Sequence, residues 1–477
     1  MDIITATFLI LTIIPAASYG WGMRGTTIGG EKGAMLPGAL IGGILALFSD
    51  ILIVQEHFYL FSALGAVAMY FGGCMTYGET LSFSMSARPA VNMKKGLLAL
   101  LIKGSLWFGT FGCIFATGVN AISGIYGVID IVIISIVTPL LAMLLYKLLN
   151  HPLNVKDNIY PKIYFSKTRK ESWGALLGIF ISLFLYSVIR GNTFSLIFPI
   201  FCGILGGIGW VLGQLMQIYC KHYAEEADGF GRLFATSRGI ESWKAMECIL
   251  GAFGGLGAAI GFIVSYDSFR DIVFNLEMTS GPKPVSKALS IVLLVLWLVL
   301  LCGDMPHYFI RKPSQDSKYQ KAYSVYKKTL EPIEFILYAT LPFILICLGD
   351  GTVARITSFF LIYWVIAQEV AFEKEMSRKK SLILKISLSI IGIIALVLSI
   401  IPNKILDYNI TFIMYTVIYE ILTLIVIAPE FIKKAKNKIT DTDTKKDTLK
   451  KIIKGNSTVI VHIYFIVCIA TVILLIK

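Results

Sequence analysis

Charged residues are scarce in this sequence. Asp, Glu, Lys and Arg make up only 15% of its 477 residues, whereas 56% are hydrophobic, and the mean hydropathy is +0.75. A soluble globular domain carries about 25% charged residues. The shortage of charge excludes an ordinary soluble protein and predicts a chain that crosses a membrane many times.

Several common site motifs are also missing. The eight cysteines form no C-x-x-C pair, and no histidine stands at ligand spacing from them. This pattern argues against a zinc site or a disulfide framework and favours cysteines that act as small packing residues. There is no G-x-x-x-x-G-K-[ST] phosphate loop, and the G-F-G-R at 229–232 is too short to replace one. We therefore expect no metal, cofactor or nucleic-acid partner.

Long apolar runs dominate the rest of the chain. The first run has no basic region before it and no A-x-A site after it, so it is predicted to be a span and not a signal peptide. Runs long enough to cross about 30 Å of hydrocarbon predict about fourteen spans near 3–19, 33–54, 58–83, 96–118, 124–147, 172–189, 192–219, 245–266, 287–309, 332–349, 353–372, 382–401, 410–431 and 457–476.

The basic residues alternate from loop to loop. With the N-terminus outside, 35 of the 43 lysines and arginines fall on the inner side. One miscounted crossing would exchange every later loop, so this bias supports the span count and places both termini outside. It also explains the net charge of +13 without a nucleic-acid surface. The sequence predicts an all-α polytopic integral protein of the plasma membrane.

Composition divides the predicted spans into regions. Residues 1–309 form a Gly-rich core bundle, 310–331 a basic cytoplasmic loop, and 332–477 a peripheral bundle that includes a basic cytoplasmic loop at 432–455. Short matches that begin at Glu31, Glu171 and Glu241 indicate parallel hairpin repeats within the core, although chance explains them equally well.

Glycines spaced by four residues indicate where the core helices touch. The pairs are Gly38/Gly42, Gly209/Gly213 and Gly251/Gly255. Small residues at this spacing let helices approach closely within lipid. We therefore expect these spans to form a central bundle that brings the charged, Gly-rich stretches together.

The first of these stretches covers 20–43. It sets Arg24, Glu31 and Lys32 among nine glycines, between one predicted span and the next. Charges at membrane depth usually face a cavity or a partner, and irregular backbone there requires protein or water around it. The pattern predicts a re-entrant or broken segment near 20–33 and a substrate-binding role for the three charged residues.

The second stretch covers 221–257. It is unusually acidic for an inner loop, and it contains Arg238, Glu241 and, at the start of the next span, Glu247. Glycines and aromatic residues among these charges predict another re-entrant or broken segment near 221–244. The alternative is that the charges cap helices and pair with one another at the interface.

Further ionisable residues fall at the same predicted depth. Glu79, Asp304 and His307 close their spans on the inner side, level with Glu247. We predict that Arg238 and Glu241 join Arg24, Glu31 and Lys32 in binding the substrate. Coupling to an ion is assigned to Glu79, Glu247, Asp304 and His307.

Single charges elsewhere in the spans have a simpler interpretation. Lys103 and Asp130 are predicted to be paired structural charges or, for the lysine, a side chain that reaches the interface.

The pattern favours a transporter for a small polar or anionic solute. The arginines would bind an anionic group of the solute, and an ion gradient would drive transport. The main alternative is a polytopic enzyme that acts on a phosphorylated or lipid-linked substrate, although no D-D-x-x-D or H-x-x-x-x-D motif supports it. A scaffold or channel subunit is the third class, against which the mixed signs of the charges argue. The predicted partners are the solute and the lipid bilayer.

Overall fold

All regular elements of the described chain are helical. The computed structural model describes residues 1–24, 30–75, 89–154, 157–161, 163–165, 171–222, 242–274, 285–307 and 320–371. In chain order the helices are α1 (Ile3–Arg24), α2 (Gly30–Leu47), α3 (Leu52–Glu56), α4 (Phe58–Tyr70), α5 (Pro89–Ile122), α6 (Val128–Asn150), α7 (Trp173–Ile189), α8 (Thr193–His222), α9 (Ser242–Val264), α10 (Tyr266–Phe274), α11 (Lys287–His307), α12 (Gln320–Leu348) and α13 (Gly351–Ala371).

Five helices of the described chain are long and apolar enough to cross a membrane. These segments are Ile3–Arg24, Met93–Ile122, Val128–Asn150, Thr193–Tyr219 and Trp243–Val264. Shorter apolar segments lie in α4, α7, α11, α12 and α13. The predicted all-helical fold is confirmed for the described residues, five of whose helices are candidates for crossing a membrane, while the total of about fourteen crossings stays a prediction.

Six helices form a closed ring in which each packs against the next. The order around the ring is α1, α2, α4, α5, α8 and α9, and α9 returns to α1. Outside this ring, α6 and α7 pack against each other and α7 against α5. Helices α12 and α13 pack against the outer side of α4, and α11 packs against both α12 and α13.

The predicted glycine pairs are sites of close backbone approach within the ring. A Cβ added at Gly38 of α2 would lie 2.2 Å from the carbonyl oxygen of Gly65 on α4. One added at Gly251 of α9 would lie 2.4 Å from the carbonyl oxygen of Ala17 on α1. The third pair, on α8, meets α9 in the same way. The prediction of tight helix contacts at these pairs is confirmed.

Helix α4 is short and enclosed by protein. All 13 of its residues are buried. At 1.5 Å per residue it extends about 20 Å, less than the roughly 30 Å of a hydrocarbon core. A 3-10 turn at Phe71–Cys74 ends it, and Met75 is extended. The continuous span predicted over 58–83 is therefore interrupted, because the chain leaves α-helical geometry after Tyr70.

The end of the ring where α2 ends and α8 begins is filled by aromatic rings. Phe262 lies 4.7 Å from Phe269 and Phe194 5.3 Å from Phe269, between ring centroids. Helix α10, which carries Phe269, is anchored there because the Tyr266 hydroxyl donates to the carbonyl oxygen of Ser49 at 2.7 Å. We call Phe194, Phe262 and Phe269 the aromatic layer. The predicted topology places this end of the ring outside.

Some predicted boundaries differ from the helices. Helix α1 continues to Arg24 instead of ending at residue 19, and α2 with α3 replaces the single span predicted at 33–54. Helix α12 begins at Gln320, within the predicted loop 310–331. The spans predicted at 382–401, 410–431 and 457–476 and the loop 432–455 lie outside the described residues, as do 25–29 and 223–241 of the two predicted broken segments.

Candidate functional site

Arg24 and Glu247 meet at the other end of the ring, where α1 ends and α9 begins. Arg24 Nη1 lies 3.5 Å from Glu247 Oε1, and the two side chains are 0% and 3% exposed. The sequence singled out both stretches for their charges and glycines but did not pair these two residues. The ion pair joins the first stretch to the second.

Two tryptophans flank the Arg24 guanidinium, and a third contacts both of them. Its Cζ lies 4.9 Å from the ring centroid of Trp21 and 5.0 Å from that of Trp107, within the range of cation–π attraction. Trp210 contacts both of these indoles, at 6.3 and 5.9 Å between ring centroids. All three tryptophans are buried. We call Arg24, Glu247, Trp21, Trp107 and Trp210 the Arg24 cluster.

Glycines on three elements make room for the cluster. A Cβ at Gly33 of α2 would lie 2.8 Å from Cγ of Arg24, and one at Gly104 of α5 would lie 2.1 Å from the Trp210 ring. One at Gly72, in the 3-10 turn after α4, would lie 1.8 Å from the Trp107 ring. No side chain fits at such distances, so the packing of the cluster requires glycine at these positions.

Helix α8 adds two buried amides to this end of the ring. Gln214 follows Trp210 by one helical turn and Gln217 by two, so the three lie on one face of the helix. The two glutamines are 0% and 1% exposed. Within the described chain, Oε1 of Gln217 and Nε1 of Trp21 have no hydrogen-bond partner. An unpaired buried polar atom costs about 1–3 kcal/mol, so a polar ligand or water would stabilise these atoms.

Stability alone does not account for the Arg24–Glu247 pair. At 3.5 Å its attraction amounts to about 5 kcal/mol at an effective dielectric constant near 20. Removing each ion from water costs several kcal/mol, so the gain and the penalty nearly cancel. Apolar side chains of similar volume would serve a purely structural purpose as well. The pair therefore calls for a functional explanation.

A second buried ion pair lies beside the cluster. Lys103, one turn before Trp107 on α5, places Nζ 2.8 Å from Oε1 of Glu171. The other carboxylate oxygen of Glu171 accepts a hydrogen bond from the Phe165 backbone N–H at 2.7 Å. Lys103 is thus paired, as the sequence predicted. The pair ties the segment before α7 to the ring.

The other predicted substrate-binding residues near Arg24 point to different places. The Lys32 ammonium lies 4.9 Å from the ring centroid of Tyr338 on α12, so it faces the outer helices. The backbone of Glu31 lies against Gly73, where a Cβ would be 2.3 Å from its Cα. The structure therefore brings Arg24 together with Glu247 and turns Lys32 elsewhere.

The remaining predicted residues are placed only in part. Asp304 and His307 belong to the last two turns of α11, where the structure describes the backbone but not the side chains. Glu79, Arg238 and Glu241 lie outside the described residues. Their proposed roles stay predictions.

Sequence reasoning missed the tryptophans and glutamines of this end of the ring. Hydropathy counts Trp21, Trp107 and Trp210 as ordinary apolar residues, and it gives little weight to the uncharged Gln214 and Gln217. A signal was present, because each tryptophan stands within two residues of a glycine and both amides interrupt an apolar run. Trp beside Gly in a span indicates a large ring packed where a backbone leaves space.

Comparison with known proteins adds no assignment. No family model matches the chain, and neither the curated proteins nor the solved structures give a match. Within the described ranges, no group of three or more His, Cys, Asp or Glu could hold a metal ion. The function has to be argued from the Arg24 cluster and the helices around it.

Proposed function

We propose that this protein is a secondary transporter of the plasma membrane that moves a small polar or anionic solute and is coupled to an ion gradient. The buried Arg24–Glu247 pair carries the proposal. Ionisable residues inside a helical membrane bundle usually mark a substrate or ion pathway. A guanidinium binds anionic groups through charge-assisted hydrogen bonds, and a carboxylate can take up a cation or a proton.

The interrupted helix α4 supports this proposal. Transporters bind solutes and coupling ions where helices break inside the bundle. Helix α4 ends beside the Arg24 cluster, since its Met69 carbonyl oxygen accepts a hydrogen bond from Trp107 Nε1 at 3.0 Å. An enclosed helix that is too short to cross the bilayer and ends beside a cluster with a buried ion pair is typical of this arrangement.

The two ends of the ring support a direction of access. The predicted topology places the Arg24 cluster in the cytoplasmic half, and the aromatic layer fills the opposite end of the ring. We propose that the described arrangement is closed toward the outside. In this interpretation a solute reaches Arg24 from the cytoplasm, and access from outside requires α10 to move away from α8.

A screen of purified protein for thermal stabilisation would test the proposal. Sugars, anionic metabolites, nucleotides and lipid phosphates would each be added with and without Na⁺ and at two pH values. A ligand at 100 times its Kd stabilises the folded state by about 2.7 kcal/mol, which raises the melting temperature. A hit that depends on Na⁺ or pH and is followed by uptake into proteoliposomes is the expected result.

Arg24→Lys is the matched control for this screen, since it keeps the charge and loses the planar guanidinium. Stabilisation only by nucleotide-sugars or lipid phosphates with a divalent metal, and no uptake, would contradict transport. That outcome would favour the polytopic enzyme, in which the same arginine would hold a phosphate group.

A further inference from the structure

We infer that Arg24 and Glu247 form an exchange site in which an oxyanion and a proton bind together. The oxyanion takes the place of the Glu247 carboxylate beside the Arg24 guanidinium, and the displaced carboxylate takes up the proton. The inference rests on the proposed function and extends it, because it names the substrate class as a carboxylate or a similar oxyanion and the coupling ion as H⁺.

Charge balance in a buried site leads to this exchange. Arg24 and Glu247 are almost completely buried and stand 3.5 Å apart, so the pair contributes one positive and one negative charge to the site. An anion added beside Arg24 would bring one further negative charge into a site closed to water, which is strongly unfavourable. Protonation of Glu247 offsets that added charge. The exchange therefore leaves the total charge of the site unchanged.

The tryptophans confine the exchange to the guanidinium. Trp21 and Trp107 lie about 5 Å from Arg24 Cζ and are 0% exposed, so they hold the group in place and keep water from it. The incoming anion and the Glu247 carboxylate must therefore compete for the N–H groups of one fixed guanidinium. Such competition is the physical origin of the coupling.

The helices packed against α9 carry other titratable or charged residues. Arg24 on α1 contacts Glu247, and the buried residues of α8 at this end, Gln214 and Gln217, are uncharged amides. The other titratable or charged residues of the described elements that pack on α9 are Tyr19 on α1, Glu31 and Lys32 on α2, Cys202, Tyr219, Cys220, Lys221 and His222 on α8, Lys244 and Cys248 on α9 itself, and Tyr266, Asp267, Arg270 and Asp271 on α10. The Glu247 carboxylate contacts Arg24, so it is assigned as the proton acceptor.

Linkage gives the sign of the pH dependence. Because anion and proton bind together, anion affinity falls as pH rises, by about tenfold per pH unit where Glu247 is ionised in the free protein. By reciprocity, the anion raises the affinity of the site for the proton by the same factor.

Calorimetric titration would test the exchange. Purified protein would be titrated with acetate, pyruvate and sulfate at pH 6.5 and 7.5, in pairs of buffers that differ in ionisation enthalpy. The heat difference between buffers gives the number of protons taken up. We expect about one proton per bound anion for the native protein and for Glu247→Asp, which keeps a titratable carboxyl group.

Two further variants separate the coupling from folding. Glu247→Gln is expected to bind the anion with no proton uptake and with an affinity independent of pH. Glu171→Gln removes a buried carboxylate of another ion pair and is expected to keep proton uptake.

Each contrary result has its own meaning. Binding without proton uptake in the native protein, or proton uptake that persists in Glu247→Gln, would overturn the inference and leave the transporter proposal standing. The same holds if none of the three anions binds while a neutral solute stabilises the protein. If no solute of any class stabilises the protein or enters proteoliposomes, the proposed function fails with it.

Discussion

At the scale of single residues, the Arg24 cluster separates two roles that a buried ion pair can have. The attraction within the pair and the cost of its burial nearly cancel, so the pair contributes little net stability. Either charge alone would be unfavourable in this site. A variant that removes one charge therefore tests stability, and a variant that removes both tests function.

The single substitution Arg24→Ala is expected to lower the free energy of unfolding by about 3–5 kcal/mol, because Glu247 is left as a buried charge. The double substitution Arg24→Met with Glu247→Leu is expected to recover most of that loss, since apolar side chains of similar size fill the same space. Thermal melts in detergent would measure both effects. The double variant is nevertheless expected to be inactive in proteoliposome uptake.

A double variant that transports would show that the pair is not the site. A single variant as stable as the native protein would show that the pair is not the buried, coupled unit described above.

Hydropathy found the residues of this pair but not the pairing. Arg24 and Glu247 stand out because ionised side chains are costly in an apolar run. Their contact joins the two ends of a long stretch of chain, and it depends on how α1 and α9 pack, which a single sequence does not specify. The role of the tryptophans was not predicted for another reason. An indole that packs against a guanidinium has the same hydropathy as an indole that faces lipid.

At the scale of helices, glycine sets the spacing of the ring. Gly38 and Gly65 face each other across α2 and α4, where each backbone occupies the space that the other's side chain would need. Similar contacts join α9 to α1 and α8 to α9. In lipid, where burial of apolar side chains gives no advantage over contact with acyl chains, this close packing holds helices together.

Gly38→Ala is expected to destabilise the protein, because the added methyl group would lie 2.2 Å from the Gly65 carbonyl oxygen. Overpacking of this kind costs about 1–3 kcal/mol or more and here would separate α2 from α4. Gly127→Ala is the matched control, since a Cβ there would meet its nearest atom, Asp130 Oδ2, at 3.7 Å. Melting temperature and size-exclusion profiles would compare the two, and equal effects would contradict the proposed packing.

The sequence predicted that the glycine pairs make close contacts, but it did not predict which helices they contact. Spacing by four residues places the glycines on one face of a helix and does not identify the helix that packs against that face. The break after α4 was missed because Gly72 and Gly73 resemble the many glycines that lie within continuous helices of this chain. The structure distinguishes them because they lie in the 3-10 turn that is followed by the extended Met75.

At the scale of the whole molecule, the described helices fit the alternation predicted from the basic residues. Arg24 at the end of α1 and Glu247 at the start of α9 meet at one end of the ring. Ser49 and Tyr266 meet at the other. Helices that alternate in direction place these residues in this way, whatever the number of crossings beyond residue 371.

Cysteine labelling would test the orientation. In a background without other cysteines, Asp2→Cys and Asp267→Cys are expected to react with a membrane-impermeant maleimide on intact cells. Asp157→Cys is expected to react only after permeabilisation, because its loop belongs to the basic inner side. All three positions are exposed. Labelling of residue 157 on intact cells would reverse the predicted orientation and move the Arg24 cluster to the outer half.

Composition was sufficient for the class of fold but not for the ring. A chain with 15% charged residues and long apolar runs has few alternatives to a helical membrane bundle. Which six helices close on one another depends on contacts between distant segments.

The burial of α4 has a consequence for the protein in membranes of different thickness. A helix that touches lipid adjusts its tilt when its apolar length and the bilayer differ. Helix α4 touches none, because all of its 13 residues are buried in protein. The adjustment falls on outer helices such as α6 and α11, where Ile129 and Val292 are 75% and 60% exposed. We therefore expect the geometry around Arg24 to be insulated from the lipid composition of the host membrane.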